Sequence, residues 1–176
     1  FVNLGIHTPY ELLNASGDVS LWVRKAVWMG HTALGICDRN TMGATLALQK
    51  ACDKAGIRPV IGYTCTLAHE GEKVEVKIYC QSQRGLRNLL RIQKAVMVDA
   101  ADATVSLPEL LRRGEGNVLV FGKLAPHWMG KNLHAVKALR ETFDNVFYQV
   151  DLSEYKAERL DAEVLKATAH FFHTFY

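Results

Sequence analysis

The chain has 176 residues and a mass of 19.7 kDa, with 49% apolar and 22% charged side chains, a globular composition that excludes the disordered and fibrous classes. Twenty-one basic against 18 acidic residues leave a formal charge of +3, too weak a field to mark a nucleic-acid binder. Apolar runs such as 118–121 fall far short of the roughly 20 residues that a membrane helix requires, and the N-terminus lacks a basic segment followed by an apolar stretch and cleavage site, so a cytoplasmic protein without membrane contact is expected.

Short β-rich runs alternate with amphipathic helical segments, the pattern of an α/β fold built from strand-helix units. Residues 1–6 form the first predicted strand. A polar loop over 8–18 leads to a helix stopped at Gly30, and residues 33–37 read as a short buried strand. The polar cluster Asp38, Arg39, Asn40 and Thr41 follows, then a helix with Met42, Leu46, Cys52 and Ala55 inward, ending at Gly56. Residues 59–80 read as a hairpin turning at Glu70-Gly71-Glu72, and Leu86, Leu89, Leu90, Val96 and Met97 recur at helical spacing.

Residues 99–104 are small and polar, a predicted loop, and Ser106 with Glu109 has the form of a capping box opening a short helix. Residues 117–121 make another buried strand, Trp128 and Met129 read as loop packing, and Leu133, Val136, Arg140 and Phe143 share one helical stripe. Val146, Tyr148, Val150 and Leu152 alternate as a strand, and Ser153 caps a last helix bearing Leu160, Val164, Ala167 and Phe171. Six strands and six helices in about 176 residues are too few for a complete eight-fold barrel, which generally takes about 250 residues. The basic run Arg84, Arg87, Arg91 and Lys94 and the Arg112-Arg113 pair read as solvated faces. Cys37, Cys52, Cys65 and Cys80 have no metal or redox spacing and read as reduced, buried thiols.

In α/β barrels the chemistry gathers where parallel strands end. His7-Thr8, Asp38-Arg39-Asn40, and Thr64 with Thr66 stand at such ends here. His7 alone reads first as a histidine satisfied by hydrogen bonds, and Asp38 as a cap for the following helix or a partner of Arg39. His31, His69, His127 and His134 are scattered without ligand spacing.

The opening Phe1-Val-Asn-Leu-Gly-Ile-His-Thr-Pro-Tyr-Glu-Leu-Leu-Asn resembles the first motif of the PHP domain of bacterial DNA polymerase III alpha subunits, Phe-Val-His-Leu-His-x-His-Thr/Ser followed by Tyr-Ser-Leu-Leu-Asp. Ala33-Leu-Gly-Ile-Cys-Asp-Arg-Asn-Thr-Met resembles the family's strand ending in Thr-Asp-His-Gly-Asn-Met, and Lys54-Ala-Gly-Ile-Arg-Pro-Val-Ile-Gly its Lys-Ala-Gly-Ile-Lys-Pro-Ile-Ile-Gly. Gln83-Arg-Gly-Leu-Arg-Asn-Leu-Leu is similar to a fourth family segment, Glu-Gly-Tyr-x-Asn-Leu, in the right order. The first ninety or so residues carry most of the likeness. The resemblance implies a distorted (β/α)7-type barrel, here incomplete, whose rim in active members holds divalent metals that generate a hydroxide and clamp a phosphoester.

At the ligand positions the chain departs from that pattern. Gly5 stands for the first histidine of His-x-His, Arg39 replaces an imidazole with a group that offers no lone pair, and Thr64 stands where a glutamate is expected, leaving His7 and Asp38. Two ligands are fewer than the three a catalytic zinc site normally uses, and a guanidinium nearby opposes a cation. The expectation is therefore a vestigial cleft of Gly5, His7, Asp38, Arg39 and Thr64 with no catalytic residue, no metal ligands and no cofactor, in which Arg39 and Lys123 are candidates for holding a phosphate. The resemblance implies one domain, residues 1–176, of a larger polymerase subunit, partnered by the rest of that subunit, by a proofreading exonuclease subunit, and by DNA through the parent enzyme. The alternative is a metal-dependent phosphoesterase or 3′-5′ proofreading exonuclease using zinc or manganese.

Overall fold

The computed structural model describes residues 2–122 and 125–149. Strands β1 (Asn3–Ile6), β2 (Ala33–Ile36), β3 (Arg58–His69), β4 (Glu72–Cys80), β5 (Thr104–Ser106), β6 (Asn117–Phe121) and β7 (Asn145–Tyr148) form one seven-stranded sheet. Helices α1 (Val19–Trp28), α2 (Thr45–Ala55), α3 (Gln83–Lys94), α4 (Leu107–Leu111), α5 (Ala125–Lys131) and α6 (Leu133–Thr142) pack around it. The sheet runs β1-β2-β3-β4-β6-β7, with β5 beside the far half of β3. Its two ends, β1 and β7, are not paired with each other among the described residues, so the fold is the expected incomplete, open barrel.

Strands β1, β2 and β3 are parallel, joined by crossover helices α1 and α2. Asp18 opens α1 by accepting the Ser20 amide at 2.7 Å, and Gly30 (φ +75°) follows it. Gly56 closes α2 in the left-handed region at φ +70°. The hairpin β3-β4 is antiparallel, His69 opposite Glu72, and turns through Glu70 (φ +50°) and Gly71 (φ +80°), the two left-handed positions that a tight two-residue turn requires. β4 then pairs antiparallel with β6, and β6 parallel with β7.

Two cores result. The smaller joins Ile6, Val23, Leu34, Ile36, Leu48 and Cys52 beneath α1 and α2. The larger joins Tyr63, Cys65, Leu67, Ile78, Leu89, Ile92, Leu119, Phe121, Trp128 and Leu139. β3 is twelve residues long because Arg58–Ile61 pair with β2 while the rest, from Gly62 on, pairs with β4 inside the large core.

Several sequence expectations are corrected. Leu46 faces solvent, and Met42 is buried ahead of α2 rather than within it, because the helix begins at Thr45 and turns Leu48 and Cys52 inward. Leu90 and Met97 are also exposed; the α3 register buries Leu89 and Ile92, and a π-helical turn over Ala95–Asp99 buries Val96 instead. Ser106 precedes α4 without a side-chain cap bond, since Glu109 is held by Arg112 and Arg113. Trp128 and Met129 lie in helix α5 and are 3% and 1% exposed. Leu133 is half-exposed, and Ala135, Val136 and Leu139 make the buried stripe of α6. β5 occupies part of the predicted loop. Three of the four cysteines are buried as expected, and Cys80 is partly buried. Lys123, the continuation of β7 to Val150 and Leu152, and the helix from Ser153 lie outside the described residues.

At Gly62, where β3 passes from its pairing with β2 to its pairing with β4, there is no room for a side chain. A Cβ there would stand 2.6 Å from the Ile36 carbonyl oxygen and 2.5 Å from the Tyr79 ring. Gly62→Ala is expected to lower unfolding free energy by about 1–3 kcal/mol through overpacking; an unshifted urea midpoint would contradict this packing.

Candidate functional site at the β1–β2 rim

Beyond Ile6 the chain leaves β1 through His7 and Thr8, and beyond Ile36 it leaves β2 through Cys37, Asp38 and Arg39. Because β1 and β2 are parallel neighbours, these exits meet at one edge. Asp38 is 1% exposed and both its oxygens are occupied: Oδ1 accepts the Thr8 amide and Oδ2 the Thr8 hydroxyl, each at 2.5 Å. Burial pushes the Asp38 carboxyl above the usual carboxylate range, with the two bonds from Thr8 opposing the rise. Asp38 therefore ties the loop after β1 to the end of β2 and does not cap α2.

Glu11 is a functional-site residue that the sequence analysis missed. Its side chain is 8% exposed and reaches back to the rim, where Oε2 meets His7 Nδ1 at 2.6 Å and accepts the Arg39 amide at 2.8 Å, while Oε1 accepts Asn14 Nδ2 at 3.0 Å. Burial alone would raise the Glu11 carboxyl, but the bonds from the Arg39 amide and His7 outweigh it and leave it below its ordinary value. The available signal was an acidic residue four positions beyond His7, in Tyr-Glu-Leu-Leu where the family motif has Tyr-Ser-Leu-Leu.

The remaining expected residues are placed as follows. Gly5 lies in β1 without a side chain, its amide bonded to Asn3 Oδ1 at 3.0 Å. Thr64 is fully buried inside β3 and donates its hydroxyl to the Cys37 carbonyl at 2.6 Å, while its amide donates to the Asp38 carbonyl at 3.0 Å. Thr64 thus serves as a splice between β2 and β3. Arg39 turns away from Asp38 and pairs with Glu75 on β4, so an anion arriving at the guanidinium must compete with a carboxylate already there.

His7, Glu11 and Asp38 each offer a ligand atom within 4.8 Å of the others. The set falls short of a multinuclear centre, however. Three donors surround one cation at most, and the carboxylate oxygens already accept five hydrogen bonds from Thr8, Asn14, His7 and the Arg39 amide. Gly5, Arg39 and Thr64 add no available lone pair facing the cluster. What the arrangement does chemically is satisfy its own acceptors: an imidazole, a side-chain amide, a hydroxyl and two backbone amides occupy the oxygens of Asp38 and Glu11.

Two outcomes check this account. Thr8→Val, which removes a donor from a buried carboxylate, is expected to cost about 1–3 kcal/mol of stability. For Glu11, whose folded-state pKa lies below its unfolded value, the stabilisation is fully present above the unfolded pKa of about 4.3 and is lost as pH falls through the folded value. The stability gap between the wild type and Glu11→Gln should accordingly be widest near pH 7 and shrink below about pH 4. A gap independent of pH, measured by denaturation across that range, would contradict it.

With this geometry in view, the likeness to known proteins can be read residue by residue. The PHP domain family matches residues 3–121, a span that includes β1 to β6 and every rim residue described above. The DNA polymerase III alpha subunit of Bacillus subtilis (strain 168) is 31% identical over 99 residues, covering 54% of this chain and 9% of its own length. That of Staphylococcus aureus (strain COL) is 32% identical over 120 residues, covering 68% of this chain and 11% of its own length. The chain thus spans about a tenth of the curated relatives it matches. An amidohydrolase from Chromobacterium violaceum, solved with bound sulfate and no metal, superposes with a TM-score of 0.60 at 10% identity over 99% of this chain and 84% of that one. Because the family match extends from Asn3 to Phe121, about two thirds of the sequence, the chain belongs to the PHP domain family.

Proposed function

We propose that this chain acts as a non-catalytic PHP domain of a DNA polymerase III alpha subunit, one domain of a longer polypeptide, serving replication as a structural and docking element. The observation that carries this reading is the closed set of hydrogen bonds at the rim, in which Thr8, His7, Asn14 and the Arg39 amide satisfy Asp38 and Glu11 without a cation. The polymerase relatives supply the context. DNA synthesis would belong to the rest of such a subunit.

Docking has a surface to act through. On α1, Val19, Val23 and Ala26 face the core, Leu21 and Trp28 lie on the opposite face, 50% and 77% exposed, and Trp22 and, just past the helix end, Met29 flank the core face at 40% and 55%. Lys25 lies over the Trp28 ring at 3.9 Å, capping part of this apolar face with charge. Leu12 and Leu13 add two further apolar side chains that are almost entirely exposed. A face of this kind suits packing against the remainder of the polymerase subunit.

A second reading, a metal-dependent phosphoesterase, is favoured by one observation: Glu11 raises the rim donors from two to three. Hydrolysis of bis-(p-nitrophenyl) phosphate with added manganese or zinc separates the two. The structural reading expects no turnover above the metal-only blank, and turnover abolished by His7→Ala would establish the phosphoesterase. For docking, Leu21→Ser with Trp28→Ser should leave the folding transition within about 0.5 kcal/mol, as for exposed sites generally, and weaken association with the separately expressed polymerase core at least tenfold by calorimetry. Unchanged affinity would remove α1 from the interface.

A further inference from the structure

The two other histidines that fold into contact are far apart in the sequence. His69 is the last residue of β3, Glu70 is in the hairpin turn, and His134 is the second residue of α6. The Nε2 atoms of His69 and His134 stand 3.2 Å apart, and Glu70 Oε1 lies 3.7 Å from the first and 3.8 Å from the second. One ligand atom from each residue falls within 4.8 Å of the others. None of the three is part of the rim cluster at His7, Glu11 and Asp38.

We propose that His69, Glu70 and His134 form a second site, for a single first-row divalent cation of the zinc type. A tetrahedral ion holding imidazole nitrogens at about 2.0–2.1 Å sets them roughly 3.3 Å from each other. The two Nε2 atoms already stand at nearly that separation, and a small shift of the exposed Glu70 side chain brings its oxygen to the third vertex. Two imidazoles and one carboxylate are the donor types that zinc accepts, and the fourth position is left to water.

The site is prepared from outside its ligands. His69 stands edge-on to the buried Trp128, with ring centroids 6.3 Å apart, which limits its rotation. Glu72, directly across the hairpin from His69, accepts Lys131 Nζ at 3.0 Å and Asn132 Nδ2 at 3.4 Å, so the hairpin tip and the start of α6 are held together independently of any ion. That contact also occupies the Lys131 ammonium. Binding requires the lone pair of both Nε2 atoms, with each ring proton on Nδ1, so protons compete with the metal. An ion seated here fastens the β3–β4 tip to α6 and closes that end of the large core.

The test is titration of the chelator-treated chain with zinc sulfate by calorimetry, and with cobalt chloride by visible absorption, at pH 7.5 and pH 5.5. The expected result is one ion per chain, a cobalt spectrum of four-coordinate type, weaker binding at the lower pH, and a loss of at least tenfold in affinity in His134→Ala and in Glu70→Ala. Both altered side chains are more than half exposed, so both variants should keep the fold. Absence of stoichiometric binding would overturn the proposal. So would binding that His134→Ala leaves intact, which would put the ion elsewhere. Neither outcome bears on hydrolysis at the rim, which is read through His7.

Discussion

The pair of hydrogen bonds from Thr8 to Asp38 is the constraint on which the rim depends. It joins residues thirty positions apart, just beyond the ends of β1 and β2, whose register is irregular between Asn3 and Ile6. A buried carboxylate is costly unless its oxygens are occupied, and here one residue supplies both donors from its own amide and hydroxyl. Once Thr8 is fixed, the chain after it is aimed so that Glu11 turns back under His7, and the Arg39 amide completes the circle. Loop, strand end and cluster are one cooperative unit.

The electrostatics of the cleft follow from that unit. Three acidic groups, Glu11, Asp38 and Glu75, are gathered near the ends of β1, β2 and β4, and one guanidinium, Arg39, reaches across to the third of them. The scaffold alone does not decide between chemistry and support. The decision rests with the side chains at the rim, where Arg39 pairs with Glu75 while Thr8, His7, Asn14 and the Arg39 amide bond Asp38 and Glu11.

Much of the fold was legible because its determinants are local. Asp18, Gly30, Gly56 and the Glu70-Gly71 turn mark element ends by their own conformational preferences, and the alternation in β4 and β6 shows which faces are buried. What escaped depends on partners distant in sequence. Ser106 and Glu109 have the spacing of a cap, but Arg112 and Arg113 compete for the glutamate. β5 is three residues long and exists only because β3 offers it an edge. Leu46 has helical spacing yet lies on the wrong side once α2 begins at Thr45. At the site, His7 and Asp38 were visible from the resemblance, whereas Glu11 needed the loop to fold back, and His69 meets His134 only through the packing of α6 on the hairpin.

The long strand β3 has a mechanical consequence. Its first four residues pair with β2 and the rest with β4, so one continuous backbone joins the parallel and antiparallel parts of the sheet, and beside it the Arg39–Glu75 pair bridges from the β2 exit to β4. A load on either part is carried to the other along this common rail without passing through a loop.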